Sequence, residues 1–309
     1  MASTTLPDGG LPSLRRPFRS GVIHVTLAVL LGFLAALAVL RAGPVLAASP
    51  DACGSLQALV DGAADGATVT VPPCVYRETV AITRPVTLDG TGSVIDGDGV
   101  RPYWVTVRAD DVTLIGFTMR NAAPADPQAG SLDVQDVERF TGRDLQLTGG
   151  SYAGVRLWFT RDARLEDVDV SGSRGLGVIG WEAHRTSVVG GHVNANDTAG
   201  YDSEYEAGGL KFGKSDDVTI EDVEVDHNVG PGVWCDVECH RFTVRDSRIH
   251  HNDRMGVLFE ISTDATIEDN QIWENGWGDP AWGWGGGVVI SSSGGATVVI
   301  ARAFYQYGI

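Results

Sequence analysis

The chain has 309 residues, is 43% hydrophobic and carries 40 acidic against 23 basic residues, a formal net charge of −17. That length and apolar content suffice for one large core or a long solenoid. The acidity speaks against nucleic acid and anionic lipid as partners, and against polyuronate chains unless a divalent cation bridges the two.

At the N-terminus Arg15, Arg16 and Arg19 precede an uncharged run from Gly21 to Leu40, and small residues follow at Val45-Leu46-Ala47-Ala48. A positive flank, an apolar segment and a cleavage-like site are the signature of export. Residues 1–20 therefore read as a basic segment and 21–48 as a signal peptide or a transmembrane anchor, the run being long enough to span a bilayer. Residues 49–309 read as the folded domain, extracellular or held at the cell surface, with membrane contact only through the N-terminal segment. Without residues 1–48 the net charge is −20, from 19 basic and 39 acidic residues.

Four cysteines suit an oxidising compartment, and local pairing gives Cys53–Cys74 and Cys235–Cys239 as the simplest of three connectivities. Ser55 to Val60 predicts a short helix with Ser55 as N-cap, placed to plug the open end of a repeat core. Strands begin at Thr68-Val69-Thr70-Val71, and Val86-Thr87-Leu88 sounds the first beat of a repeat. The beat recurs from Val112, Phe140, Ala163, Thr186, Val218, Phe242 and Ala265, at steps of 28, 23, 23, 32, 24 and 23. A second marker, an alternating line opened by glycine, starts at Gly154, Gly177, Gly209, Gly232, Gly256 and Gly287, at steps of 23, 32, 23, 24 and 31. Apolar alternation makes each line a strand with one buried face. Two markers sharing one period define a solenoid. The longer steps place insertions near Asp197 to Gly208 and within Trp273 to Gly286. After Ala296-Thr297-Val298 the pattern dissolves with no polar cap, which reads as a truncated or altered chain end with an exposed last coil.

Asn228 and Asn252 each stand four residues before a strand glycine, and Asn196 holds the matching place one coil earlier. With the repeat length and the strand alternation, these residues make the sequence resemble the right-handed parallel β-helix proteins of the pectate-lyase-like superfamily over roughly Ser55 to Ser293. The segments Glu206 to Lys211 and Gly230 to Trp234 are similar to those of uncharacterised secreted members. The resemblance implies an all-β, right-handed parallel β-helix in which stacked Asn side chains form a ladder, interrupted here at Gly150 and Ser173. It implies no settled activity.

With Leu210, Phe212, Val233, Cys235, Val257 and Phe259 inward, two outer columns follow. One runs Asp133, Arg156, Ile179, Lys211, Trp234, Leu258; the other runs Gln135, Trp158, Trp181, Gly213, Asp236, Glu260. Neighbouring coils are roughly 4.8 Å apart, so Lys211, Trp234, Asp236 and Glu260 share one patch, overhung by the insertion bearing Asp202, Glu204 and Glu206. The carboxylates admit three readings, the first being that Asp236 and Glu260, one coil apart, form a retaining glycosidase pair, whose carboxyls stand about 5 to 5.5 Å apart. Alternatively they join Asp202, Glu204 or Glu206 around Ca²⁺, or form a solvated acidic face. Lys211, one of only two lysines with Lys214, is a candidate clamp or base for a uronate lyase. Otherwise it pairs with Glu206 or Asp236. Trp234 and the insertion residues Trp277, Trp282 and Trp284 are candidate sugar platforms, which Trp158 and Trp181 would extend; the alternative is that they cover the outer sheet. His227, His250 and His251 read as solvent-facing turn residues, His227 and His250 nearly stacking, and Asn196-Asp197-Thr198 matches a glycosylation sequon. The functional expectation is an exported β-helix acting on or binding extracellular polysaccharide, as a lyase or glycoside hydrolase. A non-catalytic cell-surface carbohydrate-binding or structural protein is the alternative.

Overall fold

Corners decide this architecture, because each coil must turn sharply without losing its backbone partners. Asp144, Asp167, Asp222, Asp246 and Asp269 all hold φ between 51° and 56°, a left-handed conformation that short polar side chains tolerate. The first four each separate two strands of a coil, as Asp167 does between Arg164–Glu166 and Asp169–Ser171, while Asp269 lies within the long strand Thr263–Trp273. The structure, a computed structural model, describes residues 53–278 and 285–304, with side chains described as far as 299. The expected export segment, residues 21–48, lies outside them; among the described residues no helix is long and apolar enough to cross a membrane.

All ladders are parallel, and the chain is an all-β right-handed parallel β-helix. Among the described residues one sheet has nine strands, including Leu176–Trp181, Gly208–Gly213, Val233–Asp236, Val257–Glu260 and Val288–Ser291. Two further ladders are joined through the long strand Thr263–Trp273, which serves both. The register reproduces the sequence periods: Val155 pairs with Val178, then Leu210, Val233, Val257 and Val288 in successive coils. The six residues expected inward, Leu210, Phe212, Val233, Cys235, Val257 and Phe259, are each 0% exposed. Thr297–Phe304 pairs in parallel with Thr263–Trp273 as far as Trp273 and Phe304, so the strand continues where the sequence pattern dissolves.

The helix spans Leu56–Gly62 with Ser55 at its N-cap and Leu56 and Val60 buried. Glu78 completes that end, accepting from the Leu56 amide at 2.6 Å and the Ser55 hydroxyl at 2.8 Å, a carboxylate on the positive pole of the helix.

The Asn ladder is longer than expected. Asn196, Asn228, Asn252 and Asn275 are buried, and each amide Nδ2 donates to the next Oδ1 at 2.8, 3.0 and 3.0 Å. The strand glycines exist because of it: a Cβ on Gly232 would stand 2.7 Å from Asn252 Nδ2 and 2.8 Å from the Gly256 carbonyl. Ladder and glycine column are thus one packing solution. Burial of Asn196 in it also corrects the sequon reading, since its amide is committed to Asn228 and no oligosaccharide can reach it.

A charged column runs along another corner. Asp111, Arg139, Asp162, Arg185, Asp217 and Arg241 repeat one per coil, all with positive φ. Arg139 bonds Asp111 through two nitrogens at 2.6 and 2.9 Å, Arg185 bonds Asp162 at 2.7 and 2.7 Å, and Arg241 bonds Asp217 at 2.6 and 2.9 Å. Alternating signs let each coil stitch to its neighbour without like-charge repulsion.

Cys53 and Cys74 form a disulfide across 21 residues. The second expected bridge is corrected: Cys235 and Cys239 are free and buried. Each takes a place dictated by the repeat. Cys235 lies inward between Phe212 and Phe259. Cys239 occupies the corner position of Ser215 and Ser262, its Sγ reaching the Asp236 carbonyl at 3.3 Å as Ser262 Oγ reaches that of Glu260 at 2.8 Å. Burial and the facing Cys239 sulfur push the Cys235 thiol far above its ordinary pKa, which keeps it unreactive. Non-reducing alkylation of unfolded protein is therefore expected to label Cys235 and Cys239 and to leave Cys53 linked to Cys74. Protein with all four cysteines blocked would contradict this.

Candidate functional site

The outer face of the nine-stranded sheet carries both expected columns in register: Asp133, Arg156, Ile179, Lys211, Trp234 and Leu258 in one, Gln135, Trp158, Trp181, Gly213 and Asp236 in the other. Glu260 continues the second, one residue beyond the Cys235–Phe259 pair. Alternation puts these side chains outside, and the acidic insertion meets them at Ile179, packed with Tyr201, and at Lys211, bonded to the Tyr205 carbonyl.

Lys211, Trp234, Asp236 and Glu260 form one cluster. Lys211 Nζ is 3.0 Å from Asp236 Oδ2, donates to the Tyr205 carbonyl at 2.7 Å, and stands 3.4 Å from the Trp234 ring centroid. Two oxygens and a π face satisfy an ammonium with three donors. The side chains of Lys211 and Asp236 are 15% and 19% exposed, well under the surface ion pairs of the corner column. Burial draws the Lys211 pKa below its ordinary value, against the opposing pull of Asp236, Glu260 and Glu206. Of the two pairings expected for Lys211, the one with Asp236 is in contact.

Glu260 has the opposite character. Burial raises its pKa, the nearby Asp236 charge raises it further, and a hydrogen bond from Trp234 Nε1 at 3.1 Å works the other way. A carboxyl whose pKa is raised by burial therefore sits beside one in contact with an ammonium, and a group perturbed in this way within a cluster is a candidate functional residue.

The expected aromatic platforms fare differently. Trp234 is 2% exposed and packed with Met255, Leu258 and Val289; covered by Lys211, it supports the cluster and has no free face for a sugar. Trp277 is exposed, but its Nε1 donates to the His251 carbonyl at 2.7 Å and it lines a recess with His227, His251 and Glu274, apart from the Lys211 cluster. Trp282 and Trp284 lie outside the described residues. Trp158 and Trp181 stack with centroids 6.0 Å apart. Trp181 lies flat over Gly213, where a Cβ would meet the ring at 2.6 Å, and Lys214 Nζ stands 5.3 Å from it.

The carboxylates of Asp202, Glu204 and Glu206 do not converge. Asp202 caps its own turn, accepting the Glu204 amide at 2.9 Å, and among the described residues the one group with metal-ligand spacing involves other side chains on another sheet. What the insertion brings is backbone and an aromatic. It is pinned by Tyr152 Oη on the Glu206 carbonyl at 2.9 Å and by Arg254 Nε on Ser203 Oγ at 2.9 Å. That leaves Tyr205, 65% exposed, beside Lys211. Sequence reading passed over Tyr205; its signal was an aromatic at the end of an insertion feeding directly into a site strand.

The family model described as "Right handed beta helix region" matches residues 113–302. No curated protein matches the chain. Among solved structures, the enzymatically active domain of tailspike protein 2 from bacteriophage CBA120 aligns with a TM-score of 0.54 at 9% identity, covering 79% of this chain and 39% of that one. ORF18 of Geobacillus virus E2 aligns at 0.50 and 9% identity, covering 79% and 57%. Pectate lyase Pel9A aligns at 0.44 and 14% identity, covering 81% and 73%. The chain thus spans about two fifths of the tailspike domain. At such identities the likeness is one of fold.

Proposed function

The chain belongs to the right-handed β-helix family, and from that premise we propose that it is an exported glycoside hydrolase acting on uncharged extracellular polysaccharide at the Lys211–Asp236–Glu260 patch. The fold hosts many chemistries, so the reading must come from the site. One observation carries it: two carboxyls on adjacent coils in different surroundings, Glu260 half-buried with its pKa raised and Asp236 in contact with Lys211 Nζ. Strands roughly 4.8 Å apart suit the 5 to 5.5 Å carboxyl separation of a retaining pair. Glu260 would protonate the glycosidic oxygen as that bond to C1 breaks and Asp236 Oδ bonds C1. Water would then displace Asp236, returning its proton to Glu260. Tyr205 and the Trp158–Trp181 stack supply aromatic surface for sugar rings. The acidic surface favours uncharged substrate, and saturation of Lys211 speaks against its serving as a lyase base. The Cys53–Cys74 disulfide suits an oxidising compartment.

The test is a polysaccharide panel, with and without Ca²⁺, read for new reducing ends and for unsaturated product. Reducing ends without unsaturation are expected from a neutral glycan. Unsaturated product would replace the reading with a lyase, and binding without turnover across the panel would make the chain a non-catalytic carbohydrate binder.

A further inference from the structure

A second concentration of chemistry lies on the outer face of another ladder. There the register aligns His192 with Glu224 and Arg248, and Asn194 with Asp226, His250 and Trp273. Val193, Val225 and Ile249 between them point into the core, so the polar residues share one face across successive coils. Ligand atoms of His192, Glu224 and Asp226 all lie within 4.8 Å of one another.

We propose that His192, Glu224 and Asp226 bind a divalent first-row transition ion of the Zn²⁺ class, with His250 and His227 positioning the two carboxylates. Tetrahedral bonds of about 2.0–2.1 Å put ligand atoms about 3.3 Å apart, so closing on an ion asks these side chains to move by on the order of an ångström. His192 Nε2 already stands 2.9 Å from Asp226 Oδ1, a contact the ion would replace. The outer partners are in place: His227 Nδ1 is 3.2 Å from Asp226 Oδ2, and His250 Nε2 is 3.1 Å from Glu224 Oε1 and 3.9 Å from Asp226 Oδ2. His250 is held by stacking on Trp273 at 4.0 Å and by His251 Nδ1 at 2.8 Å. Such oriented supports are what metal ligands need. Arg248 takes Glu224 Oε2 at 2.9 Å, so Oε1, which already meets His250 Nε2, is the oxygen that would share its second lone pair with the ion. One imidazole with two carboxylates selects Zn²⁺-like ions over Ca²⁺ or Mg²⁺, which prefer oxygen shells. Half-exposed His192 leaves a fourth position open to water. The site shares no residue with the proposed polysaccharide patch, and neither reading depends on the other.

The experiment is equilibrium dialysis of chelator-treated full chain against Zn²⁺ and against Ca²⁺, with metal quantified per chain. One Zn²⁺ and no Ca²⁺ per chain are expected. Asp226→Asn and His192→Asn should each weaken Zn²⁺ binding at least 10-fold to 100-fold and abolish the Zn²⁺-dependent rise in melting temperature. His240→Asn, away from the site, should leave both unchanged. Should buried Asp226→Asn fail to fold, the more exposed His192→Asn decides. Absence of stoichiometric Zn²⁺, or binding indifferent to His192→Asn, would overturn the proposal.

Discussion

Glu260→Gln is expected to lower turnover about 10²-fold to 10⁴-fold, the usual contribution of a positioned proton donor, while leaving the protein at least as stable as the parent at pH 7. Gln retains an oxygen to accept the Trp234 Nε1 hydrogen bond but cannot release a proton. Stability should not suffer, because the Glu260 pKa is raised, first by burial and then by Asp236. A carboxyl with a folded pKa above its unfolded value binds more protons when folded. Its contribution is therefore most favourable below the unfolded value and declines as pH climbs through the folded one. Once ionised, Glu260 is a partly buried charge beside another of the same sign, and the amide removes that charge. The same shift sets the pH profile: activity needing protonated Glu260 should fall on the alkaline side at a pH above that of an ordinary glutamate. Turnover and thermal melts of both proteins from pH 4 to 9 check this. A variant that loses stability and activity together would show Glu260 to be structural.

The repeat was legible because the strands of each coil must keep their inward alternation, and a period of 23 or 24 leaves its trace in every core position. Both outer columns followed from that register alone. What escaped shows where pattern stops. Asn275 was missed because the 273–286 insertion separates it from Gly287, breaking the four-residue interval that marked Asn228 and Asn252. Cys239 looked like half of a bridge; two dozen residues either way stand Ser215 and Ser262, and that spacing marks it as a small corner residue. His192 and Glu224 stand 32 residues apart, the same step as the strands beside them, and Asp226 lies on the same face two residues beyond Glu224, so the group's assembly was readable once the insertion was counted. Trp234 was different in kind. Its place outside the sheet was correct, but a lysine folding over the ring is a matter of side-chain reach, and no periodicity reports it. Likewise His227 stacks on His251, with centroids 5.0 Å apart and rings 5° from parallel, while it meets His250 edge-on at 6.4 Å; the corner aims each ring in ways spacing does not encode.

Asn252→Ala is expected to cost about 2–6 kcal/mol, a large part of the 5–15 kcal/mol typical of a folded domain. The Asn252 side chain donates to the Val225 and His250 carbonyls at 3.0 and 3.1 Å and to Asn275 Oδ1 at 3.0 Å. It also accepts from the Asn228 amide at 3.2 Å and Asn228 Nδ2 at 3.0 Å. Truncation strands two donors of Asn228 in a site with 0% exposure, and each buried orphan costs about 1–3 kcal/mol. Asn196→Ala, at the upstream end, should cost roughly half as much, because its Oδ1 serves only the Ser173 amide at 3.0 Å and one donor is stranded. Position in the ladder, rather than residue type, therefore sets the loss. Each coil is held mainly by its neighbours, so the damage from Asn252 should spread to the adjoining coils of Trp234, Asp236 and Glu260 and appear as faster amide exchange there. Urea unfolding of both variants with hydrogen exchange of Asn252→Ala makes the comparison. Equal losses at Asn196 and Asn252 would show that the asparagines act singly, each bonding its own corner, and that the ladder transmits nothing between coils.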